Sequence, residues 1–125
     1  MSDDFKVIHV YTRAQAIADE VLIDVSDMAK EAGFKVPVAL TRTVWESFVR
    51  VPRGVEGQDQ NGRLWDVLWM CFVAVKTRQE SKPEMFYRLH VRNDSGSPRL
   101  VTLKSVIGPG DNGEPVLTIM LPNED

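Results

Sequence analysis

One cysteine, Cys71, stands in the whole chain. No disulfide can close within it, so a small fold stapled by bridges is excluded. Histidine is nearly as scarce, with only His9 and His90, and one Cys with two His falls short of the four ligands of a structural zinc site. No apolar run approaches the roughly 18 residues of a membrane span. The opening Met1-Ser2-Asp3-Asp4 is acidic where a secretion signal is basic, so a cytoplasmic protein is expected. Charge of one sign is not in excess either: 15 Lys and Arg against 18 Asp and Glu leave −3, too little for a bulk field to choose a partner. There is no G-x-S-x-G elbow, no Walker loop, no repeat and no low-complexity linker.

What remains is 125 residues, 43% of them hydrophobic, which suits one domain over 1–125 with a core that needs no metal. The β-branched run 6–11 predicts a short buried strand. Thr12 and Gln15 have capping-box spacing and open a helix to about Glu20 with Ala14, Ile17, Ala18 and Val21 on its apolar face. Residues 22–25 form a short extended piece. Ser26 caps a second helix ended by Gly33, and Thr41 caps a third that must stop before Pro52. The polar, glycine-bearing stretch 53–62 is a loop. From Arg63 to about Thr77 two apolar stripes share one helix, Leu64, Val67, Leu68, Cys71 and Val75 on one side and Trp65, Trp69 and Phe72 on the other. Such a helix should be central and buried.

After Pro83 the period becomes two, with Met85, Tyr87, Leu89 and Val91 alternating against Phe86, Arg88, His90 and Arg92. Further strands follow over 100–107 and 116–121. The expected fold is therefore α+β: a C-terminal three-stranded antiparallel meander plus the N-terminal strand, packed on about four helices with one central buried helix.

Gly108-Pro109-Gly110-Asp111-Asn112-Gly113 matches G-x-G-x-x-G, but a strand follows instead of the helix that a phosphate cradle requires. A hairpin loop is expected, and no cofactor. Asp111, Asn112 and Glu114 offer too few oxygens for a hard cation, so no metal is expected. His9 reads as a core residue. His90 lies on the wetter face between Arg88 and Arg92, and Cys71 reads as an inert hydrophobe. No catalytic set is complete, and no deep cleft holding either histidine is expected.

Two surfaces are candidates for binding. One is the loop 53–62, with Arg53, Glu56, Gln58 and Asp59 between helices. The other is the open sheet face, where Arg88, His90, Arg92 and Lys104 lie beside Phe86, a mix of cations and aromatic that nucleic-acid platforms use. Between Lys76 and Lys104 there are seven basic residues against three acidic.

The stretches Tyr11-Thr12-Arg13-Ala14-Gln15-Ala16-Ile17-Ala18-Asp19, Leu64-Trp65-Asp66-Val67-Leu68-Trp69-Met70 and the ending from Gly108 resemble a family of small uncharacterised bacterial proteins carried on plasmids and other mobile elements. The resemblance spans nearly the whole chain and implies no activity. In that family's pattern glycine follows Asp19, where this chain has Glu20. Separately, His9-Val10-Tyr11-Thr12, a short helix and then Leu22-Ile23-Asp24 look like the opening of ADP-ribosyltransferase-like domains, which would make Glu114 the late glutamate. The expectation is a non-enzymatic accessory or interaction protein of a mobile element, a monomer with a protein partner. The alternatives are nucleic-acid binding through the basic face, or an ADP-ribosyltransferase-like enzyme.

Overall fold

A computed structural model describes residues 11–125. The strand and histidine expected before Tyr11 lie outside the described residues. Thr12 and Gln15 close the reciprocal capping box on α1 (Arg13–Ala18), the Thr12 oxygen accepting from the Gln15 N–H at 3.0 Å. Of the face expected to be apolar, only Ile17 is partly covered; Ala16 is the buried residue, and Val21 is half exposed. Glu20 then takes φ 59, the left-handed conformation in which glycine is comfortable. The tight turn survives the missing glycine.

β1 (Leu22–Asp24) leads into α2 (Ser26–Ala32). Ser26 is the first residue of α2 rather than its cap: its N–H and hydroxyl both donate to Asp24 Oδ1, and its hydroxyl oxygen accepts from the Val38 N–H at 3.0 Å. Gly33 ends the helix at φ 121, and a Cβ there would sit 2.6 Å from the Phe72 ring. Glycine is required twice over at that position.

β2 (Val38–Thr41) was not expected from the sequence. It follows a proline, shows no alternation and is fully buried through Leu40, which is how a strand covered on both faces reads. Thr41 caps α3 (Arg42–Val44), and the helix widens at once into a π-helical turn, Trp45–Val49. α4 (Gln60–Thr77) starts earlier than the sequence suggests, because Asp59 accepts from the Gly62 N–H at 2.6 Å.

β3 (Glu84–Val91), β4 (Arg99–Pro109) and β5 (Pro115–Met120) pair consecutively and antiparallel. Among the described residues the sheet is five-stranded and mixed, in the order β1-β2-β5-β4-β3, with β2 parallel to β5. The core lies between one sheet face, carrying Leu40, Tyr87, Leu89, Leu103, Leu117 and Ile119, and the helices, which supply Ala29, Val49, Leu64, Val67, Leu68 and Cys71.

α4 is not buried all round as expected. It covers the sheet with one face and leaves Trp65 37%, Trp69 42% and Met70 38% exposed. The two indoles stack with ring centres 5.9 Å apart, which shelters apolar surface that the sheet does not reach. Burial lifts the Cys71 thiol to about 12 and raises the Tyr87 phenol; the Tyr87 hydroxyl donates to the Val67 carbonyl at 3.0 Å. Cys71 is therefore protonated at neutral pH and an unreactive thiol.

Candidate functional site

The site grows from one arginine. Arg63 lies on the inward face of α4 in step with Val67 and Cys71, and only 6% of it is exposed. A guanidinium buried to that extent must place its donors. Nε donates to the Val49 carbonyl at 3.1 Å, Nη1 to Gln58 Oε1 at 2.9 Å and the Arg92 carbonyl at 2.7 Å, and Nη2 to Asn93 Oδ1 at 2.6 Å. Asn93 passes a further bond to the Ser47 carbonyl at 2.9 Å, and the Arg92 guanidinium reaches back to the Glu56 carbonyl. One buried cation thus ties together the π-helical turn, the loop 53–62, α4 and the end of β3.

Beside this junction opens a cleft of about 470 Å³, lined by Phe48, Gln58, Asp59, Trp65, Asp66, the β3 residues Leu89 to Val91 and Arg92 just past them, among others. It is where the two surfaces singled out in the sequence meet. Gln58, Asp59, His90 and Arg92 all line it. Its ionic groups are largely engaged in structure, since Asp59 caps α4 and Arg63 and Arg92 hold main-chain carbonyls. Partial burial raises the Asp66 carboxyl above its ordinary range.

His90 is exposed and lines this open cleft. Among the described residues neither Asp59 nor Asp66 forms an ion pair with it. Arg53 and Glu56 are exposed and do not line the cleft; Glu56 contributes its carbonyl. Arg88 projects from β3 opposite Thr102 and is exposed. Lys104 does not belong to an open face. It is 7% exposed, donates to the Glu124 carbonyl and lies 3.7 Å from Glu84. The chain's own C-terminal residues remove it from the basic patch.

Sequence reasoning passed over Arg63, Phe48, Trp65 and Asp66. A signal for Arg63 was present, because a charged residue in step with Val67 and Cys71 on a buried helix face must have partners.

The glycine motif folds as the β4–β5 hairpin, Gly113 at φ 81 donating to the Gly110 carbonyl. Asp111 instead reaches 98 positions back, accepting from the Arg13 N–H at 2.8 Å and the Ala14 N–H at 3.0 Å. These two bonds hold its carboxyl below the usual range. The Arg13 guanidinium donates to the Thr118 hydroxyl and the Leu117 carbonyl. The hairpin therefore stands beside Tyr11 rather than at the far end of the sheet, and Tyr11, Leu22 and Asp111 share a depression of about 630 Å³. Glu114 does not face it as a transferase glutamate would: its Oε1 accepts from the Asn112 N–H at 3.0 Å, within its own turn.

The family of unknown function DUF6573 matches residues 1–125. The chain belongs to it. Neither a curated protein nor a solved structure shows significant similarity to this member of the family. No described helix is long and apolar enough to cross a membrane.

Proposed function

We propose that this protein is a non-enzymatic interaction protein whose working surface is the cleft between α4 and the end of β3. The observation that carries the reading is the Arg63 junction. It fixes the loop 53–62, α4 and β3 as one rigid frame around an open cleft of mixed polar and apolar wall, with Asp59, Arg63 and Arg92 committed to holding the frame. A cytoplasmic setting and service to a bacterial mobile element complete the proposal, and for these the support is the sequence alone.

Photo-cross-linking residues placed at Trp65 and at His90, with one at the exposed Lys30 on α2 as control, test it in cells. Polypeptide adducts at 65 and 90 but not at 30 are expected. Nuclease-sensitive adducts would replace the reading with nucleic-acid binding, for which Phe86, half exposed beside Arg88, is the supporting observation. Equal labelling at all three positions would end both.

A further inference from the structure

Among the described residues β3 is the outermost strand of the sheet on its side. The Ile107 N–H donates to the Pro83 carbonyl at 2.9 Å, which fixes the phase of the ladder. Bonded pairs recur at every second residue of an antiparallel pair. In the observed register they are Met85 with Ser105, Tyr87 with Leu103, Leu89 with Val101 and Val91 with Arg99. The N–H and C=O groups of Phe86, Arg88 and His90 therefore point away from the sheet. Depressions flank this edge at both ends, the 470 Å³ cleft at His90 and one of about 460 Å³ at Phe86.

We infer that the open edge of β3 takes an extended acidic peptide as a sixth strand, its main chain bonding to Phe86, Arg88 and His90. The unpaired ladder dictates an extended main chain, because only a polypeptide repeats donors and acceptors at strand spacing. Charge selects the sequence. Side chains alternate across the added strand, so those on the Arg88 side meet its guanidinium and are best filled by carboxylates, and those on the other side meet Leu89 and Trp65. A second copy of β3 is the poorer occupant, since pairing two such edges antiparallel about the centre of their outward groups sets Arg88 against Arg88. Like charges facing each other are how edges resist self-association. The inference rests on the cleft being an interaction surface and adds what enters it and how.

The probes are an octapeptide alternating glutamate and valine, its lysine–valine counterpart, and the glutamate peptide N-methylated at every amide, each at millimolar concentration with the full chain. Hydrogen exchange resolved by residue is the readout. The glutamate peptide is expected to slow exchange at the amides of Phe86, Arg88 and His90, whereas Tyr87 and Leu89 are protected already. The lysine and N-methylated peptides are expected to leave exchange unchanged. Arg88→Glu should weaken the glutamate peptide roughly tenfold and admit the lysine one, the size expected from turning one favourable cross-strand pair into a repulsive one. Protection absent at those three amides, or equal for the lysine peptide, overturns acidic strand addition. So does undiminished binding of the N-methylated peptide. Polypeptide adducts at 65 and 90 without this protection would reject the strand and spare the interaction surface.

Discussion

The guanidinium of Arg63 donates to the main-chain carbonyl of Arg92 at 2.7 Å, joining the second turn of α4 to the residue just past β3. Among the described residues, that carbonyl is an outward acceptor at this end of the edge that the protein itself satisfies. The same side chain also satisfies Val49, at the end of the π-helical turn, where the widened ladder has run out.

Replacing Arg63 by Met keeps much of the volume and deletes every donor. The Val49 and Arg92 carbonyls then lose charged partners in a site with little access to water, and the cost expected is about 3 kcal/mol. Urea unfolding would measure it. Arg63→Lys should recover only part, because an ammonium cannot span partners arranged around a planar fork. A cost below about 1 kcal/mol, the size of one ordinary neutral bond, would show that the junction is not held by this residue.

Glu20 makes the opposite prediction. A non-glycine residue at φ 59 carries about 1–2 kcal/mol of backbone strain. Its ion pair with Arg42 spans 3.8 Å between exposed groups and returns little. Glu20→Gly should therefore stabilise the protein, by about 0.5–1 kcal/mol after the larger chain entropy of glycine in the unfolded state is subtracted. Thermal melts of the two chains would decide the sign.

Asp111 ties the hairpin to α1 through a carboxylate whose pKa is lowered by the N–H groups of Ala14 and Arg13. A depressed folded-state pKa contributes stability above the ordinary carboxylate value of about 3.9, and that contribution disappears as pH falls through the lower, folded value. Asp111→Asn should be less stable at neutral pH, with the gap to the parent closing in acid. Denaturation midpoints across pH would reveal it, and a gap independent of pH would refute the assignment.

What could be read in advance follows from the range of the interactions. The capping box at Thr12, the N-cap at Thr41, the end of α2 at Gly33 and the alternation along β3 are set by neighbours a few residues apart, and all appear in the structure. β2 escaped because a strand buried on both faces has no period, and its pairing with β5 joins residues about 80 positions apart. Lys104 was misplaced for a similar reason: the period put it on the open face, but the carbonyl that draws it inward belongs to Glu124. The cleft was half legible. Loop chemistry pointed to Gln58 and Asp59 and alternation to His90 and Arg92, whereas their meeting depends on Arg63, whose partners come from three separate segments.

The position of β2 in the sheet has a consequence for how the chain is made. Its neighbours are β1, only three residues long, and β5, which follows every other described element in the chain. A nascent chain on the ribosome therefore holds Val38, Ala39 and Leu40 without their parallel partner until β5 has been synthesised. The amino-terminal half cannot finish folding as it emerges, and closure of the sheet waits for residues 115–120 to clear the exit tunnel.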